Sequence, residues 1–231
     1  MSRNSSSKKS RRAGNENSTV TPMYQFREVK PLNQVQSEYL HSIRTNEITF
    51  GIGSAGTGKT FVSAGYAAKE LYDRRIDKII LTRPNVETGR GLGFLPGELD
   101  EKYAPYLEPF EAIFTQLLGK GFYEYAFRAK QIDPKPLGFM RGTSFENTII
   151  LVDEVQNMTK TEFKMLLSRI GKNCKMILSG DPEQSDIGNS SGLPDAIHRL
   201  QRVPGIGITR FEDDDIVRSK ICKHIILAYK N

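Results

Sequence analysis

Gly53-Ser54-Ala55-Gly56-Thr57-Gly58-Lys59-Thr60 satisfies GxxxxGK[ST] at every position, between a predicted strand over 47–52 and a predicted helix over 59–73. Glycines at 53, 56 and 58 let successive backbone N–H groups turn inward at the positive end of that helix. The result is a nest for the crowded charge of β- and γ-phosphates. Lys59 adds a mobile cation, and the Thr60 hydroxyl is a hard oxygen ligand suited to Mg²⁺. Gly53, Ser54, Ala55, Gly56, Thr57, Gly58, Lys59 and Thr60 are the expected nucleotide contacts, with ATP and Mg²⁺ as cofactors.

A second half of such a site follows in Thr148-Ile149-Ile150-Leu151-Val152-Asp153-Glu154. The run is apolar on both faces, as a central parallel strand requires. Asp153, at its carboxyl end, suits the metal through its water shell. Glu154 beside it suits the work of orienting and deprotonating a water. A kinase needs no second acid, because its nucleophile is a bound substrate, so the pair favours hydrolysis. Ser179-Gly180-Asp181-Pro182-Glu183-Gln184 ends the next predicted strand, 175–179, and makes Gln184 the candidate sensor of the γ-phosphate.

Further strands are expected at 78–82 and around 205–211. Helices are expected after a Thr159/Glu162 capping box, near 192–200, and from an Asp213 or Asp214 cap to about residue 229. Strands separated by helix-length crossovers imply an α/β domain, a P-loop NTPase with a parallel β-sheet sandwiched by helices. The segment 83–147, rich in Gly and Pro, breaks this rhythm and reads as a functional insertion with helices over 98–118 and 122–129.

The chain has 231 residues and a net charge of +6, concentrated at one end. Residues 1–21 carry Arg3, Lys8, Lys9, Arg11 and Arg12 against Glu16 alone, with almost no apolar residue. They read as a disordered basic arm, either solubilising or in salt-sensitive contact with nucleic acid, and 22–231 reads as the ATPase domain. No apolar run approaches the roughly 20 residues a bilayer span needs, so no membrane contact is expected. Nor does an apolar stretch follow the basic residues to make a secretory signal, and the cytoplasm is the expected compartment. Cys174 and Cys222 then read as free thiols.

Further stretches resemble a known family. Leu32-Asn33-Gln34-Val35-Gln36 is similar to the adenine-reading Q motif of superfamily 1 helicases, and Gly180-Asp181-x-x-Gln184 to their third motif. Thr82-Arg83-Pro84, Gly93-Phe94-Leu95-Pro96-Gly97 and Asp215-Ile216-Val217-Arg218 narrow the resemblance to PhoH-like proteins. It implies a RecA-like ATPase domain linked to RNA or single-stranded nucleic acid and assembling into rings. It also implies that Gln36 hydrogen-bonds adenine and that Arg218, or else Arg210, is an arginine finger acting on a neighbouring subunit. With one lobe per chain, the second half of the site is expected from another copy, in a cyclic homo-oligomer such as a hexamer.

Within the insertion, Arg83, Arg90 and Phe94 are candidate contacts to RNA or single-stranded DNA, which offer phosphates and stackable bases. Phe94 and Leu95 equally suit packing a loop against the sheet, with Tyr103 and Tyr106 on a subunit interface. Competing readings are a nucleotide-gated scaffold with negligible turnover and a P-loop small-molecule kinase. The compact chain fits a bacterial or phage origin.

Overall fold

The computed structural model describes residues 26–84 and 108–228. The expected basic arm, Arg90 and Phe94 lie outside them.

Among the described residues, six parallel strands form one sheet in the order β3-β2-β4-β5-β1-β6. They are β1 (Ile48–Gly53), β2 (Lys78–Thr82), β3 (Ile132–Pro134), β4 (Thr148–Val152), β5 (Cys174–Gly180) and β6 (Ile206–Phe211). The α-helices among the described residues are α1 (Gln34–Thr45), α2 (Lys59–Tyr72), α3 (Glu108–Leu118), α4 (Lys120–Arg128), α5 (Lys160–Leu167), α6 (Leu193–Leu200) and α7 (Lys220–Ala228).

The alternation of apolar side chains along each strand divides the core into two layers. Ile79, Leu81, Ile149, Leu151 and Ile177 point to one face, where α1, α2, α3 and α4 cover them. Ile80, Ile150, Val152, Met176 and Leu178 point to the other, under α5 and α6. Each such side chain contributes about 1.5–3 kcal/mol by leaving water, which explains why the strands are apolar on both faces. Gly51 has a specific cause: a Cβ there would lie 2.6 Å from the buried ring of Tyr39, which packs edge-on against Phe211.

The capping box forms as expected, with Glu162 N–H donating to Thr159 Oγ1 and Thr159 N–H to Glu162 Oε2. Cys174 and Cys222 are free thiols. Two elements lie outside the expected set, and one expectation needs correction. The insertion contributes an edge strand, β3, whose three residues are too few for a periodic signal. A helix, α1, precedes the first strand; its Asn33 cap accepts from Gln36 N–H at 2.8 Å. The final helix is not capped by Asp213 or Asp214. Asp213–Asp215 form a separate 3-10 turn, closed by reciprocal bonds between Glu212 and Asp215, and α7 begins only at Lys220.

Strand order is what builds the site. β5 lies between β1 and β4, with Ile52 opposite Gly180 and Val152 opposite Leu178. The segments after β1, β4 and β5 therefore leave the sheet side by side at its carboxyl edge, where α/β folds bind ligands.

Candidate nucleotide site

The phosphate loop adopts the conformation its glycines permit. Gly53, Gly56 and Gly58 have φ of 133°, 78° and 85°, a region that side chains disfavour. Close packing adds a second demand at Gly53, where a Cβ would stand 1.9 Å from the Phe211 carbonyl oxygen. Lys59 is folded into the loop, donating to the carbonyls of Gly53 and Ser54 at 2.6 and 2.7 Å and to Thr57 Oγ1 at 3.3 Å. Thr57 Oγ1 donates to the Ser54 carbonyl at 2.9 Å, while Ser54 Oγ bonds the carboxylate of Asp213.

A cleft of about 560 Å³ gathers the rest. Ala55, Gly56, Gly58, Lys59 and Thr60 line it together with Asp153, Glu154, Asp181, Gln184 and Arg218. Pro109 and Ile113 of the insertion form an apolar lip. Thr60 and Asp153 thus offer a hydroxyl and a carboxylate to one space, a hard all-oxygen set that fits Mg²⁺ with phosphate oxygens completing its shell. Among the described residues no group of three or more His, Cys, Asp and Glu side chains could hold a metal ion by itself.

Burial pushes the Asp153 carboxyl up to about 6, and the Glu154 charge beside it adds to the rise. A hydrogen bond from the Glu154 backbone, then the charges of Arg83 and Lys59, oppose it. Glu154 itself stands at φ 56°, a left-handed conformation unusual for a residue with a side chain.

Three of the expected site residues make contacts within the chain. Gln36 is only 3% exposed; its Nε2 donates to the Thr57 carbonyl at 2.9 Å and its Oε1 accepts from Leu32 N–H at 2.8 Å. It is a strut between α1 and the loop, and reading adenine would fall to its second N–H and second lone pair. Arg218, read as a finger for a neighbouring subunit, sits on the phosphate loop of its own chain. Val217 N–H donates to the Gly56 carbonyl at 3.0 Å, and a Cβ at Gly56 would meet Arg218 Cγ at 2.8 Å. Asp214 pairs with Lys223 at 3.1 Å. Arg83, expected at nucleic acid, is partly buried and close enough to Asp153 for its charge to favour the carboxylate.

Gln156 is the residue that sequence reasoning missed. It is 1% exposed and bonds Glu154, Asp181 and Gln184 together. A polar residue two places after the acid pair was the only signal.

Residues 28–230 match the family model described as PhoH-like protein. The chain belongs to the PhoH-like family. It is 40% identical over 201 residues to Protein PhoH of Escherichia coli, covering 85% of this chain and 57% of that protein. It is 41% identical over 196 residues to a PhoH-like protein of Bacillus subtilis, covering 84% of this chain and 61% of the relative. This PhoH-like chain thus spans less than two thirds of these relatives. Among solved structures, it is similar to a DNA replication initiation factor at 20% identity and a TM-score of 0.35, covering 85% of this chain and 50% of the other. The AMPPCP-bound DnaA of Aquifex aeolicus matches at 20% identity, TM-score 0.34 and the same coverages. This PhoH-like chain, with this loop, sheet order and acid pair, has the P-loop NTPase fold.

Proposed function

We propose that this PhoH-like chain is a Mg²⁺-dependent ATPase whose turnover is coupled to RNA or single-stranded DNA. The observation that carries the reading is the convergence of Lys59, Thr60, Asp153, Glu154, Gln184 and Arg218 on one cleft. Lys59 leaves its loop carbonyls for the β- and γ-phosphates, where its charge is of most use. Thr60 and Asp153 are the residues that would hold Mg²⁺, and the ion would supply charge neutralisation at the phosphates. Glu154 takes the proton of the attacking water, and Gln184 orients that water at the γ-phosphate.

Arg218 supports the transition-state charge from within the chain. That leaves Arg210, exposed on the edge strand β6, as the arginine available to another copy in a ring such as a hexamer. Nucleic acid is engaged by the insertion that begins at Arg83. The protein works in the cytoplasm of a bacterial or phage-infected cell.

The test is phosphate release from ATP with Mg²⁺ or EDTA, with and without single-stranded RNA and DNA, for the wild type, Glu154→Gln and Arg83→Ala. We expect turnover that needs Mg²⁺, falls at least about 100-fold in Glu154→Gln, and rises with single strands. Turnover equally slow in the wild type and Glu154→Gln would favour a nucleotide-gated scaffold instead. Light scattering on the ATP-bound protein checks the ring.

A further inference from the structure

Hydrogen bonds stitch the turn after Glu154 to the loop after β5. Gln156 donates through Nε2 to a Glu154 carboxylate oxygen and, at 3.4 Å, to the Gln184 carbonyl. Its Oε1 accepts from Asp181 N–H at 3.1 Å, and its backbone carbonyl accepts from Ser185 Oγ at 3.1 Å. Asn157 adds a reciprocal pair: its Nδ2 donates to the Asp186 carboxylate and its Oδ1 accepts from Asp186 N–H, both at 2.8 Å.

The stitching continues to the phosphate loop. The Asp181 carboxylate accepts from Ala55 N–H at 3.0 Å and from Gln184 Nε2 at 2.8 Å. A chain of bonded groups therefore runs from Ala55 through Asp181 and Gln156 to Glu154.

We propose that Gln156 is a positioning residue for hydrolysis: it aims the Glu154 carboxylate and ties that aim, through Asp181, to what the phosphate loop holds. The inference rests on the ATPase reading above. Only a carboxamide of this length serves, because position 156 must donate to a carboxylate and a carbonyl while accepting from an amide. A glutamate offers no donor and repels Glu154; an asparagine does not span the gap. The space is cleared for it, since a Cβ on Gly180 would stand 2.7 Å from Gln156 Oε1. A phosphate in the loop brings negative charge beside Asp181, and any shift of Asp181 passes to the base through the buried amide. Sequestering the donor between base and sensor keeps Glu154 aligned only while the β5 loop is in place.

The test compares Gln156→Leu and Gln156→Asn with the wild type, measuring kcat for ATP with Mg²⁺ and the affinity of a fluorescent non-hydrolysable ATP analogue. Wild-type turnover comes first, because its absence defeats the ATPase reading itself. Given that turnover, kcat is expected to fall about ten-fold or more while analogue affinity stays within about two-fold. Placed on top of Glu154→Gln, Gln156→Asn should cause no further loss, since its effect passes through the missing carboxylate. A kcat within about two-fold of wild type, or a loss that multiplies in the Glu154→Gln background, overturns the proposal. If both variants melt early, hydrogen exchange on the wild type decides. The Asp181 amide must change its protection when the analogue binds, and an unchanged amide overturns it.

Discussion

The carboxylate of Asp181 accepts a hydrogen bond from the backbone N–H of Ala55 at 3.0 Å, so an acid from the end of β5 braces the phosphate loop at the end of β1. The same oxygen takes Gln184 Nε2, and the other takes Glu183 N–H at 3.1 Å. Asp181 is thus the group that places the sensor relative to the loop. Asp181→Ala frees Gln184 and should lower kcat by about ten-fold or more, with ADP affinity changed far less. Steady-state kinetics beside ADP titration checks the split.

Asp153 gives a pH dependence with a definite sign. Its carboxyl ionises near 3.8 when unfolded and near 6 in the metal-free fold. The folded state therefore holds this proton more tightly, and the group's contribution to stability is present below about pH 4 and lost as pH rises through 6. The size is about 2–3 kcal/mol. Asp153→Asn should raise the Tm of the metal-free protein at pH 7.5 by at least about 4 °C, with no such gain at pH 4. The same variant should lose Mg²⁺-dependent nucleotide binding. Thermal melts in EDTA at the two pH values decide it.

Gln36→Ala removes a buried donor from the Thr57 carbonyl and a buried acceptor from Leu32 N–H. The cost should be about 1–3 kcal/mol of stability. Because the lost bonds hold the phosphate loop, affinity should fall for ATP and GTP alike. A selective loss of ATP would show instead that the amide reads adenine. Binding of the two nucleotides in parallel makes the comparison.

Two glycines should respond oppositely to alanine. Gly53→Ala combines φ 133° with a Cβ 1.9 Å from the Phe211 carbonyl oxygen. It should cost about 3 kcal/mol or more and abolish nucleotide binding. Gly121, in α4, has no atom within 4 Å of a Cβ. Gly121→Ala should stabilise by about 0.5–1 kcal/mol and leave binding untouched. Denaturant melts of the pair test both signs.

Much of this protein was legible in local sequence, for reasons seen in particular residues. The demand for φ near 80° at Gly56 and Gly58, and for a cation and a hydroxyl directly after, is met within eight consecutive positions. The apolar run ending at Asp153 and the Thr159–Glu162 capping box are likewise local, and each appears where its pattern places it. The β3 strand was not legible, because three residues carry no period and its pairing partner is β2, some fifty residues away. The helix α1 was not legible because its buried Tyr39, Leu40 and Ile43 are set among polar residues, which leaves only a weak apolar stripe.

By itself, then, the chemistry of 53–60 and of 153–154 determined that the chain is a P-loop domain with an acid pair at a strand end. Strand order could be settled only by the fold, since parallel pairing depends on contacts across the whole chain. By inserting β5 between β1 and β4, it set Asp181 on the phosphate loop and Gln156 between base and sensor. It also turned Gln36 inward and seated Arg218 on Gly56 of its own chain. Those four placements depend on hydrogen bonds and packing between residues 21 to 162 positions apart, and no local pattern encodes contacts at such separations.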